Sequence, residues 1–95
     1  MQHRLYGLRG QEYVRELKRI FQEEQELIRE KFREIKERNG GKFSAKNLGE
    51  MCNHFQLPVT VMDAYLSDLG LLPVGTWDRL KDRGAKARDI GVVWK

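Results

Sequence analysis

The spacing of apolar residues over residues 11–38 constrains this chain most. On a helical wheel of about 100° per residue they fall in one stripe roughly 140° wide, the pattern of an amphipathic helix. Gly10 precedes the stripe and the run from Asn39 to Gly41 follows it, as expected at the start and end of a helix. The stripe consists of Tyr13, Val14, Leu17, Ile20, Phe21, Leu27, Ile28, Phe32 and Ile35.

The length of this helix predicts self-association. A helix over residues 11–38 is about 40 Å long, more than one small domain can cover. Glu24 and Lys31 fall on its apolar side and break a strict heptad, which favours an antiparallel dimer or a helical bundle over a long two-stranded coiled coil. The expected oligomerisation residues are Leu17, Phe21, Ile28, Phe32 and Ile35.

Residues 43–72 predict two short helices joined by a tight turn. Ser44 is the expected N-cap of the first, which runs to Phe55, and Gly70 ends the second. Cys52 falls on the apolar face of the first helix, whereas Asn53 and His54 are expected at the surface. The predicted shared core of the pair is Leu57, Met62, Leu66 and Leu69.

Residues 48–72 resemble the helix-turn-helix of winged-helix transcription regulators. The resemblance is carried by Leu48, Gly49, Cys52, Phe55, Leu57, Met62, Leu66, Leu69, Gly70, Leu71 and Leu72. It implies that Gly49 lets the two helices approach closely and that the second helix lies against DNA. Val59, Thr60 and Asp63 would then face the groove, together with Ala64 and Ser67. The chain departs from the family at Gln56, where Gly is common, and at these groove-facing positions, none of which is basic.

The basic charge lies at the two ends of the chain. The net charge is +4 and the pI is near 9.4. Residues 1–10 carry +2 and residues 71–95 carry +3, whereas residues 39–70 carry −1. Most of the affinity of DNA-binding modules comes from phosphate contacts, so these are expected from bases outside the second helix. The expected contacts are Lys42, Lys46, Arg79, Lys81, Arg83, Lys86 and Arg88.

The basic C-terminal segment, residues 73–95, has two interpretations. Thr76 can cap a short helix that Gly84 ends, and Gly84-Ala85 can form the turn of a small wing that reaches DNA. The alternative is a solvated helix and loop, with residues 90–95 as a short strand or extended tail. Trp77 and Trp94 flank the basic run and can anchor it, although Trp94 can also be an exposed aromatic that docks on a partner.

The chain therefore predicts one all-α domain over residues 1–95 and no enzyme. No catalytic triad, metal-ligand cluster or phosphate loop is recognisable, so we expect no metal and no cofactor. A single cysteine, the absence of an apolar leader and the absence of a membrane-spanning stretch are typical of a cytoplasmic protein.

Two functions remain open at this point. The first is a small DNA-binding protein, a transcriptional or phage-type accessory regulator that binds duplex DNA as a homo-oligomer. The alternative is a helical adaptor that binds a protein partner and no DNA. Convergence of the basic side chains on one face favours DNA, and scattering of those side chains favours the adaptor.

Overall fold

The computed structural model describes residues 2–94, and this part of the chain is all-α, as the sequence predicts. Its α-helices are α1 (Gly10–Arg38), α2 (Ala45–Phe55), α3 (Val59–Asp68) and α4 (Thr76–Asp82). A 3₁₀ helix, Ala87–Ile90, follows α4, and no strand occurs between residues 2 and 94. Within the same range, no helix combines the length and the apolarity needed to cross a membrane.

Helix α1 corresponds to the predicted long helix, but its apolar stripe is used differently along its length. Toward its C-terminal end, Ile28 and Ile35 are 0% exposed and Phe32 is 5% exposed. Phe32 packs on Phe43 of the same chain, with ring centroids 4.4 Å apart. These three side chains are therefore core residues of the single chain and not the oligomer contacts that the sequence predicts. An amphipathic pattern shows that a face is covered but does not show which chain covers it.

Glu24 interrupts the apolar stripe because it holds the N-terminal segment in place. Arg4 Nη1 donates to Glu24 Oε1 at 2.9 Å, and its Nη2 donates to the other carboxylate oxygen. The backbone N–H of Arg4 also donates to the carbonyl of Gln56 at 2.8 Å. Arg4 thus ties α1 to the end of α2, and its guanidinium lowers the pKa of Glu24.

Helices α2 and α3 follow each other across a short turn, and α2 begins at its predicted cap. Ser44 and Asn47 make a capping box, in which the Asn47 N–H donates to Ser44 Oγ at 3.3 Å and the Ser44 N–H donates to Asn47 Oδ1 at 2.9 Å. Gln56 reverses the chain with φ +57° and ψ +46°, the left-handed conformation that favours Gly. The predicted shared core is confirmed, since exposure is 0% for Leu57, Met62 and Leu66 and 9% for Leu69.

Between residues 73 and 94, the C-terminal segment contains a short helix and no strand pair that would form the predicted wing. Gly84 follows the end of α4 with φ +92°, and its N–H donates to the Lys81 carbonyl at 2.8 Å, so it belongs to a helix end and not to a hairpin. Trp77 and Trp94 are 5% and 7% exposed, which confirms that they anchor the segment and excludes an exposed Trp94. Residues 92–94 form neither a helix nor a strand, and Lys95 of the predicted tail lies outside the described residues.

Candidate nucleic-acid interface

Gly49 lets the basic C-terminal segment dock on α2. A Cβ built on Gly49 would lie 1.7 Å from the carbonyl oxygen of Ile90 and 2.7 Å from its carbonyl carbon. Only a residue without a side chain allows this approach, because the atoms in the way belong to the backbone. The sequence resemblance assigns Gly49 to the contact between the two paired helices. The structure corrects this, since the element that Gly49 admits is the 3₁₀ helix.

Asn53 fixes the same segment with two hydrogen bonds. Its Nδ2 donates to the Gly91 carbonyl at 2.8 Å, and its Oδ1 accepts from the Val93 N–H at 3.2 Å. The donor and the acceptor of the amide therefore both bind backbone groups that would otherwise need water as a hydrogen-bond partner. Asn53 is half-buried at the surface where it is expected, and there it binds the C-terminal segment; His54 is exposed, as expected.

Docking of the 3₁₀ helix on α2 creates a shallow groove with Lys46 on one side and Arg88 on the other. We call this the Lys46–Arg88 groove; its lining is Lys46, Glu50, Asn53, Arg88, Asp89, Ile90 and Gly91. Lys46 and Arg88 are exposed, and neither forms an ion pair with another residue of the range 2–94. Two predicted DNA contacts, remote in sequence, are thus brought to one surface.

The two carboxylates in the groove are held by other donors. Arg38 donates to Glu50 at 2.6 and 3.1 Å, and this guanidinium lowers the pKa of the Glu50 carboxyl. The Lys86 N–H donates to Asp89 Oδ2 at 2.8 Å. Because both carboxylates have these contacts, the cations Lys46 and Arg88 remain available to a solvent anion or a phosphate.

The other predicted basic contacts are spread over the surface. Lys42 is exposed just before the Ser44 cap of α2. On α4, Arg79 Nη1 donates back to the Val74 carbonyl at 3.0 Å, and Lys81 pairs with Asp78 at 3.3 Å.

Arg83 and Lys86 are exposed in the turn that links α4 to the 3₁₀ helix. At the other end of the chain, the pairing of Arg4 with Glu24 uses one of the two positive charges predicted there. The seven predicted cations therefore converge only in part, at Lys46 and Arg88.

Helix α3 does not present the predicted groove-facing set. Val59 is 6% exposed and belongs to the core, so it is unable to touch a base. Asp63 is half-buried, and its Oδ1 accepts from the Trp77 N–H at 3.3 Å, which supports the first turn of α4. Burial raises the pKa of Asp63. Thr60 is exposed, but it lines an apolar groove against α1.

The described residues contain no arrangement suited to metal or thiol chemistry. Between residues 2 and 94, no cluster of three or more His, Cys, Asp or Glu side chains is placed to hold a metal ion. Cys52 is 0% exposed, and burial raises the pKa of its thiol to about 12, so the reactive thiolate is disfavoured.

Comparison of the chain with protein-family models, curated proteins and solved structures gave no match.

Proposed function

We propose that this chain is a small accessory protein that binds duplex DNA through phosphate contacts. The observation that carries the proposal is the Lys46–Arg88 groove. There a glycine and an asparagine amide of α2 hold a basic segment in place, and the two tryptophans that flank this segment are buried. A basic segment that serves only as a solvated surface does not need to be held in this way.

The position of Lys46 adds to the attraction for phosphate. Lys46 lies in the first turn of α2, and Lys42 precedes the cap of the same helix. The N-terminal end of a helix carries partial positive charge, so these two cations and the helix end act on an anion together. Exposed Arg83 and Lys86 lie before the 3₁₀ helix on the Arg88 side and can contact neighbouring phosphates of a duplex.

Helix α3 is not the base-reading element in this proposal. Its exposed and half-buried positions are Thr60, Asp63, Ala64, Ser67 and Asp68, which include two carboxylates and no cation. A duplex pressed against this face would bring its phosphates toward carboxylates, which costs affinity. We therefore propose binding with little base preference, in the manner of an accessory protein.

A helical adaptor without DNA binding is the second candidate. The observation that favours it is the apolar groove between α1 and α3, because uncovered apolar surface of this kind is typical of protein contacts. The two candidates use different surfaces, so separate experiments can test them.

Salt-dependent binding to a labelled duplex of random sequence tests the DNA proposal. Fluorescence anisotropy at several salt concentrations should give a log affinity that falls by about 0.9 per phosphate contact for each tenfold rise in salt. Lys46→Ala and Arg88→Ala should each reduce this slope by about 0.9 and weaken all sequences alike.

Arg15→Ala is the matched control for this titration. Arg15 is exposed on α1, about 34 Å along the helix axis from Arg38, whose partner Glu50 lines the Lys46–Arg88 groove. Its loss should leave the slope unchanged. Absence of salt-dependent binding by the wild type at low ionic strength would remove the DNA proposal and leave the adaptor.

A further inference from the structure

The N-terminal half of α1 and the adjacent face of α3 enclose an apolar groove that the described chain leaves open. We call this the α1–α3 groove; its lining is Tyr13, Leu17, Lys18, Phe21, Gln22, Thr60, Val61, Ala64, Tyr65 and Asp68. Tyr65 lies at the base of the groove. Its hydroxyl donates to the Leu17 carbonyl at 2.6 Å, and the centroid of its ring lies 5.1 Å from that of Phe21. Burial raises the pKa of Tyr65 to about 12.

The apolar stripe of α1 thus extends beyond what its own chain covers. Whereas the last third of the stripe is buried, Leu17 and Phe21 are only half-buried, and Val14 is 47% exposed beside the groove. Val14 precedes Lys18 of the groove rim by one helical turn, so an exposed apolar side chain lies next to the apolar groove. A surface with both features can be complementary to a copy of itself.

The charges at the rim of the groove can also be complementary to those of a second copy. Lys18 stands on the α1 side and Asp68 on the α3 side, and both are exposed. Neither forms an ion pair with another residue in the described part of the chain. In a two-fold symmetric contact, if residue i meets residue j of the other copy, then j meets i as well. One two-fold axis would therefore make two Lys18–Asp68 pairs across the boundary.

We propose that a second copy of this chain occupies the α1–α3 groove in a two-fold symmetric dimer. Val14 of each copy enters the groove of the other, and Lys18 of each meets Asp68 of the other. This replaces Ile28, Phe32 and Ile35 by Val14, Tyr13 and Ala64 as oligomer contacts, and it keeps Leu17 and Phe21. The proposal is independent of DNA binding.

The dimer also gives a reason for the composition of α3. Thr60 and Ala64 lie in the α1–α3 groove, so dimerisation covers part of the face that a recognition helix would need. A basic residue there would be buried at a subunit boundary without a partner, which is costly. The Lys46–Arg88 groove is lined by different residues and is present twice in the dimer.

Charge exchange across the boundary tests this dimer most specifically. Light scattering coupled to size exclusion should give twice the 11.2 kDa chain mass for the wild type at high micromolar concentration. Lys18→Glu and Asp68→Lys should each raise the dimer dissociation constant about tenfold, because symmetry counts each change twice. The double variant should regain the wild-type dissociation constant, a result that neither misfolding nor loss of general solubility would give.

A matched pair of apolar variants tests the position of the interface. Val14→Asp should raise the dissociation constant roughly a hundredfold, because two carboxylates would be buried in apolar surroundings. Leu27→Asp makes the same change at an α1 residue that is 55% exposed and does not line the groove, so it should leave the dimer intact. A wild type that stays at its chain mass at high micromolar concentration would overturn the proposal. So would a double charge exchange that fails to restore the dimer.

Discussion

Replacement of Gly49 by Ala should destabilise the protein. The sign of the change in unfolding free energy shows whether helix propensity or the close approach of Ile90 dominates. In the interior of a helix, Ala is favoured over Gly by about 1 kcal/mol, so Gly49→Ala should stabilise α2 if only the helix mattered. The structure opposes this with a Cβ position 1.7 Å from the Ile90 carbonyl oxygen. Because the contact is with backbone, no change of side-chain rotamer can relieve it.

The size of the stability loss depends on how far the C-terminal segment must move away from α2. Overpacking of a core usually costs 1–3 kcal/mol, and here the alternative is to undock the segment that carries Ile90, Val92 and Trp94. These side chains are 4%, 8% and 7% exposed, and losing such burial costs about 1.5–3 kcal/mol for each large side chain. Subtracting the helix gain of about 1 kcal/mol leaves a net loss of up to about 2 kcal/mol if the segment only shifts, and a larger loss if it undocks.

Urea unfolding and the emission of Trp94 measure the two parts of this effect. In a Trp77→Phe background, Trp94 is the single tryptophan, and its emission should shift to the red if Gly49→Ala undocks the segment. DNA affinity should fall in the same variant, because Arg88 moves with the segment. A Gly49→Ala protein as stable as the wild type, with unchanged Trp94 emission, would refute the reasoning.

Four further changes have expected outcomes. Asn53→Ala should cost about 1–2 kcal/mol in urea unfolding by removing two hydrogen bonds to the C-terminal segment, and Asn53→Asp should cost at least as much, because a carboxylate oxygen would replace the donor that meets the Gly91 carbonyl at 2.8 Å. The Arg4 guanidinium lowers the pKa of Glu24 from its ordinary value of 4.5, so this pair stabilises the fold above pH 4.5, and the stabilisation is lost as the pH falls below that value and through the lowered pKa. Glu24→Gln should therefore lower stability at neutral pH and flatten the loss of stability below the ordinary pKa of 4.5 in pH-dependent melting. Gln56→Gly should raise stability by up to about 1 kcal/mol in thermal melts, since the left-handed conformation favours Gly; an unchanged melting temperature would contradict this. Leu66→Ala should cost roughly 2–5 kcal/mol, and an unaltered melting curve would contradict the placement of α3.

The sequence predicts those elements of the fold that depend on local pattern. The spacing of the apolar residues predicts α1. Ser44 predicts the start of α2, because capping by its side chain does not depend on what the helix packs against. The apolar spacing of Leu57 and Leu66 fixes the inward face of the helix pair.

The parts that the sequence does not predict depend on contacts between remote segments. Asn53 lies on the polar side of α2 and would be solvated if the backbone of Gly91 and Val93 did not return to it. Gly84 has a positive φ that suits a helix end as well as a hairpin turn, so the wing and the helix end are locally equivalent. Lys46 and Arg88 lie on one groove because the 3₁₀ helix docks on α2, and no sequence motif indicates this.

Nuclear magnetic resonance of the ¹⁵N-labelled wild type, titrated with a short random duplex at low salt, tests residue by residue whether DNA binds the Lys46–Arg88 groove or the exposed face of α3. If DNA binds the groove, amide shifts should be concentrated at Lys46 in the first turn of α2 and at Arg88 in the 3₁₀ helix, whereas Thr60 and Ser67 of α3 should not shift. Shifts concentrated on α3, or no shifts at saturating DNA, would contradict binding at the groove.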